Sequence, residues 1–194
     1  MNIQLSEHFS YSKLLRFVFP SIVMMVFTSI YGVIDGLFVS NYVGKVPFAA
    51  VNLIMPFLMM LGSLGFMIGT GGSAFVAKTL GEGREEEARR HFSMLVYVSI
   101  AGGVVLSIIG MIVIRPLTIA MGAEGEMIEN CVVYGRILLI ALTPFILQNV
   151  FQSFFVTAEK PQLGLAVTVA AGLTNIFLDF LFVAVFKWGL EGAA

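Results

Sequence analysis

Asp35 and Asp179 are acids standing where acids are costly. Each lies inside an apolar stretch long enough to cross a bilayer, and no other charged residue does. An Asp at mid-helix raises the free energy of insertion by ~3 kcal/mol, so it is expected where it faces a cavity or a partner and marks an ion or proton path. The residues one turn before each acid are polar as well. Tyr31 precedes Asp35 by four positions and Asn175 precedes Asp179 by four, so each falls on the same helix side as its carboxylate. A third stretch contributes Gln148, Asn149 and Gln152. Carboxylates, amides and a phenol are oxygen-bearing groups suited to Na⁺ or to a proton network. If the two acids meet, they should titrate as a coupled pair. The competing reading of Gln148, Asn149 and Gln152 is interhelical hydrogen bonding, at about 0.6 kcal/mol each.

The elements that must hold these groups follow from composition. The chain is 58% hydrophobic and only 12% charged, against about 25% charged in soluble domains. Mean hydropathy is +0.95. Five charge-poor windows account for this: Phe17–Val39, Ala49–Ala77, Phe92–Ile114, Ile137–Ala158 and Leu163–Phe186. Each reaches the ~20 residues a helix needs to cross ~30 Å of hydrocarbon. Continuous apolar runs, not period-two alternation, specify helices instead of a barrel. The fold class is therefore an all-α polytopic membrane protein with the lipid bilayer as its solvent.

Net charge is −1, so no basic surface points to nucleic acid. Single Cys131 makes no internal disulfide and belongs to no metal-binding cysteine cluster. No cofactor is expected beyond a coupling ion, and no metal beyond Na⁺ at Asp35 and Asp179. His8 and His91 are read as interfacial. Met1–Arg16 reads as an amphipathic lead-in, with Leu5, Phe9, Leu14 and Leu15 at the interface.

Alternating the loops groups Lys13, Arg16, Lys78, Arg84, Arg89, Arg90 and Lys160 on one side, against Lys45, Arg115, Arg136 and Lys187. Positive charge collects inside, so the N-terminus is expected in the cytoplasm and the chain in the plasma (cell inner) membrane. Asp35 lies 19 residues past Arg16 (35 − 16) and Asp179 19 past Lys160 (179 − 160). Both acids are then about 28 Å above their basic anchors, at one depth on two parallel helices. Five spans leave the C-terminus outside, and Gly189–Ala194 reads as the entrance to a sixth. The chain is thus expected to be the front part of a longer protein.

Smaller features read as architecture. Gly62, Gly65, Gly69, Gly71, Gly72 and Ser73 should give the second span a smooth face for close contact. Pro20, Pro56 and Pro144 should kink their helices, and Pro20 shares its helix with Asp35. In the loop Gly81–Arg90, Glu85 and Arg89 are spaced to pair, as are Glu86 and Arg90.

Several segments together resemble the multidrug and toxic compound extrusion (MATE) transporters, near the bacterial DinF-like and MepA-like branches. They are Asp35 behind Pro20, the run Ser73-x-x-x-Ala77-x-x-Leu80-Gly81-x-Gly83, and Asn175-Ile176-Phe177-Leu178-Asp179 followed by Gly189-Leu190-Glu191-Gly192-Ala193-Ala194. The resemblance implies twelve spans in two six-helix lobes around a central cavity, with this chain most of the N-terminal lobe and a C-terminal lobe as its partner. It implies a transporter and no enzyme, one that exports cationic amphipathic organic compounds by antiport with H⁺ or Na⁺. By position, Asp35 and Asp179 match the cation-coupling acids, Tyr31, Asn149 and Asn175 their hydrogen-bonding neighbours, and Pro20 a proline at which the first helix bends. Gln148 and Gln152 are candidates for the substrate cavity. The family often has Pro after the second acid; Phe180 here leaves a bend at that point open.

Two other functions fit parts of the pattern. A lipid-linked oligosaccharide flippase of related plan would want cationic side chains for a pyrophosphate, and the five windows hold no Lys or Arg. An intramembrane aspartyl protease also uses two acids on two helices. Its usual Tyr-Asp and Gly-x-Gly-Asp settings are replaced here by Ile34-Asp35-Gly36 and Leu178-Asp179-Phe180.

Overall fold

The computed structural model describes residues 11–193. Leu5, His8 and Phe9 of the expected lead-in lie outside the described residues. The elements run α1 (Tyr11–Phe38), a π-helical turn (Val39–Val43), α2 (Lys45–Gly81), α3 (Glu85–Ala120), α4 (Glu126–Ile140), α5 (Leu142–Thr157), α6 (Pro161–Asp179) and a second π-helical turn (Phe180–Val185). Among the described residues, four segments are long and apolar enough to cross a membrane, or five if the bent pair α4–α5 is one span. The chain is an all-helical membrane protein.

Loop chemistry sets where helices stop. Gly44, Gly83 and Gly122 follow helix ends and Gly125 precedes one, all at positive φ (122°, 77°, 90° and 55°) where other residues would strain. Pro161 opens α6, where its missing N–H is no loss. Glu85, Glu86 and Glu87 occupy the first turn of α3, complementing its dipole. In the loop before it, Arg84 bonds Glu82 and also Glu87 (2.6 Å), in place of the expected Glu85–Arg89 and Glu86–Arg90 pairs. Arg84 stands at the helix entrance and reaches both ways, holding the Glu82 carboxyl below its ordinary pKa.

Helix packing follows the small residues, as expected where lipid supplies no hydrophobic drive between helices. Gly62, Gly65, Gly69 and Gly72 form one buried stripe on α2. Gly65 and Gly69 meet the backbone of α5, and Gly72 meets Leu95 of α3. Gly71 departs from the expected face: it is exposed with open space beside it, because it is one residue off the 62/65/69/72 spacing. The core cluster includes Ile54 of α2, Ile114 of α3, Leu139 of α4 and Ile146 of α5, each 0% exposed. Leu190 folds back into this cluster from beyond the second π turn.

Pro20 and Pro56 lie within uninterrupted helices, whereas the chain breaks beside Pro144, with α4 and α5 meeting at 51° across Ala141. Pro144 has no N–H for the Ile140 carbonyl, so the helix cannot continue straight. Pro144→Ala is therefore expected to reduce that angle by restoring the bond. A spin-label distance across α4 and α5 that does not change would contradict this. Because α4 begins at Glu126, the fourth span extends beyond the apolar window that starts at Ile137. Arg136 is consequently an exposed residue of α4, one position before that window.

Candidate ion-coupling site

The acids are brought together by the seam between α1 and α6. Small residues on α6 let α1 approach. A Cβ on Gly172 would lie 2.5 Å from Phe27 Cε1 and 3.1 Å from Tyr31 Cδ1, and one on Gly164 would lie 3.6 Å from Met24 Sδ. The contacts climb both helices in the same direction, so α1 and α6 are parallel. Asp35 and Asp179 sit at the top of this seam.

Asp179 is 3% exposed and lies within coulombic range of Asp35. Asp35 is half-buried. Asp35 Oδ1 and Asp179 Oδ2 are both buried without a hydrogen-bond partner among the described residues. An orphaned carboxylate oxygen inside a protein is costly and calls for a proton or a cation. Carboxylate oxygens suit either H⁺ or Na⁺. No group of three His, Cys, Asp or Glu side chains is placed for another metal among the described residues.

Each acid stands just before a π turn. Asp179 is the last residue of α6, and Asp35 is one turn before Val39. The wider turns close with i+5 bonds, Gly44 N–H to Val39 O (3.3 Å) and Phe186 N–H to Leu181 O (2.9 Å), and they pack against one another. Single π turns inside helices often occur at functional sites. Phe180, where a bend was left open, stays helical (φ −57°, ψ −45°). It keeps its N–H, so the helix widens past Asp179 and does not break there.

A third side chain feels the charge of both acids. Tyr134 of α4, 2% exposed, lies within coulombic range of both Asp35 and Asp179. Sequence reasoning passed over it because it lies three residues before the apolar window at Ile137. The available signal was its helical spacing from Asn130, whose Nδ2 is also buried without a partner.

The other candidates are dispersed. Tyr31 is half-buried against Phe27 (ring centroids 6.3 Å apart) and within range of Asp35. Asn175 is exposed on α6. Asn149 is buried lower down, where α5 meets Gly65, and donates to the Phe145 carbonyl (2.9 Å). Gln152 reaches Met24 Sδ (3.6 Å). Gln148 lines a groove of about 360 Å³ beside the α4–α5 bend, with Met55, Met59, Leu138, Leu142 and Phe145. That groove is apolar apart from Gln148, suited to the hydrophobic body of an organic molecule.

The MatE family model matches residues 20–181. The multidrug export protein MepA of Staphylococcus saprophyticus is 21% identical over 184 residues, covering 95% of this chain and 41% of that protein; MepA of Staphylococcus aureus matches to the same extent. A crystal structure of a MATE transporter in a bent conformation superposes with a TM-score of 0.85 at 28% identity, over 93% of this chain and 40% of the other. A MOP-superfamily transporter from Pyrococcus furiosus gives 0.86 at 28% identity, over 92% and 39%. The chain thus spans about two-fifths of the length of the relatives it matches.

Proposed function

The chain belongs to the MatE family of multidrug efflux transporters, and from that premise we propose that it forms the ion-coupling lobe of an antiporter exporting cationic amphipathic compounds. The observation that carries this reading is the pair of partnerless carboxylate oxygens, Asp35 Oδ1 and Asp179 Oδ2, on parallel spans. H⁺ or Na⁺ entering from outside occupies this pair with help from Tyr134, and the occupied lobe favours the state that releases substrate. The ion must bind the two states unequally, because equal binding shifts nothing. Asn175, exposed one turn below Asp179, and Tyr31 are second partners for the ion as the lobe moves. Asn149 tunes the α2–α5 contact, and Pro20 is the hinge of α1. Gln148 and its groove take the apolar part of the substrate, facing a C-terminal lobe. The N-terminus is cytoplasmic, in keeping with the excess of Lys and Arg on that side.

The flippase reading draws one observation, Arg136 in α4 just before the fourth apolar window. That side chain does not line the Gln148 groove, which contains no charged residue, so the observation favours organic cations over a pyrophosphate. The test is uptake of a fluorescent organic cation into everted vesicles carrying the complete transporter, with H⁺ and Na⁺ gradients imposed separately. Uptake driven by one gradient is expected and names the ion. No uptake from either gradient, with transporter present in the membrane, defeats the antiporter.

A further inference from the structure

We infer that Met24 is a positioning residue for the Asp35–Asp179 pair, its sulfur serving as the common acceptor that clamps three spans together below the acids. Met24 is 2% exposed on α1. Its Sδ receives Thr168 Oγ1 of α6 at 3.4 Å and Gln152 Nε2 of α5 at 3.6 Å. Other side-chain hydrogen bonds between helices, Thr157 to Ser73 O, Cys131 to Ala50 O and Arg115 to the Glu129 carboxylate, each join two helices. Met24 gathers donors from two other spans onto one side chain.

The placement gives the contact its consequence. Met24 is four residues above Pro20 and eleven below Asp35 on the same helix. Pro20 deletes a backbone bond from α1, so the helix above it needs another hold on its neighbours. Gly164 lies beside the sulfur, where a Cβ would stand in ordinary contact at 3.6 Å. One level up the approach is closer: a Cβ on Gly172 would crowd Phe27 and Tyr31. The seam is thus anchored at its base by the sulfur, spaced by glycine in the middle, and ends at the two acids. A thioether accepts hydrogen bonds weakly, so the clamp holds α1 in place yet releases at low cost. Gln152, a cavity candidate from its sequence position, is occupied in this clamp.

The inference rests on the antiporter reading, and its test separates the two. In the complete transporter in lipid nanodiscs, spin labels at Ile30 and Phe177, both exposed, report the α1–α6 distance. Met24→Leu keeps the volume and removes the acceptor; Met24→Gln keeps the length and supplies an amide oxygen. Met24→Leu is expected to add a longer-distance population and to raise the half-saturating concentration of the coupling ion by roughly five- to tenfold, with the maximal rate retained. Met24→Gln is expected to stay close to the unsubstituted protein in both respects. A Leu variant with unaltered distances and ion dependence overturns the inference. So does equal damage from Leu and Gln, which would mean that shape alone matters. If the unsubstituted transporter shows no gradient-driven efflux, the antiporter reading fails while the distances still decide the clamp.

Discussion

Asp179→Asn is expected to bring gradient-driven efflux down to background while the protein still inserts and folds. The reasoning starts from the environment of the carboxylate. Asp179 is 3% exposed, has one oxygen without a partner, and feels the charge of Asp35. Asn keeps the shape but can neither take up a proton nor neutralise a cation. To move a two-state lobe from 1:99 to 99:1, the ion must prefer one state by about 5.5 kcal/mol; with the acid gone, most of that preference goes too. Stability should move the other way. A charge within a span disfavours the inserted helix, by up to ~3 kcal/mol at its centre and less towards either end, so its removal leaves thermal stability unchanged or raised. Asp35→Asn should act similarly, and the double variant should lose little more, because paired groups act as a unit. The measurement is vesicle uptake beside thermal unfolding in detergent. An Asn variant that retains efflux sinks the mechanism; one that loses efflux only because it unfolds leaves the acid without a demonstrated coupling role.

The largest structural effect is expected at Gly65. A Cβ there would lie 2.8 Å from the Ile146 carbonyl oxygen and 2.9 Å from Ile146 Cα. Both are backbone atoms, so no side chain can rotate out of the way and α2 must move off α5. Gly65→Ala is expected to destabilise by about 1–3 kcal/mol, the usual range for overpacking, and Gly65→Val by more. Six residues along, Gly71→Ala meets nothing within 4 Å. It should be neutral, or stabilising by up to ~1 kcal/mol through helix propensity. Gly72→Ala belongs between them, since its nearest atoms are the movable end of Leu95. Unfolding midpoints in one detergent would rank the three. Equal tolerance at Gly65 and Gly71 would refute the close α2–α5 contact.

The all-helical membrane class was legible in the sequence because lipid leaves a backbone few ways to satisfy its hydrogen bonds. Apolar length alone then locates the spans. The two acids were legible for a related reason: a charge inside such a stretch is costly enough to stand out without any knowledge of its neighbours. Their equal distance from Arg16 and Lys160 even anticipated their shared level. Partner choice was another matter. That Asp35 lies within range of Asp179's charge depends on α1 packing along α6, and Gly172 allows that approach without announcing which helix will use it. Tyr134 was hidden because α4 begins at Glu126, before hydropathy alone marks a span. Asn149, Gln148 and Gln152 are near neighbours in the chain, yet helical rotation sends them to the α2–α5 seam, the groove and Met24. Periodicity places a residue on a face; what the face meets is settled by backbone approach distances summed over several helices, which only the tertiary structure contains.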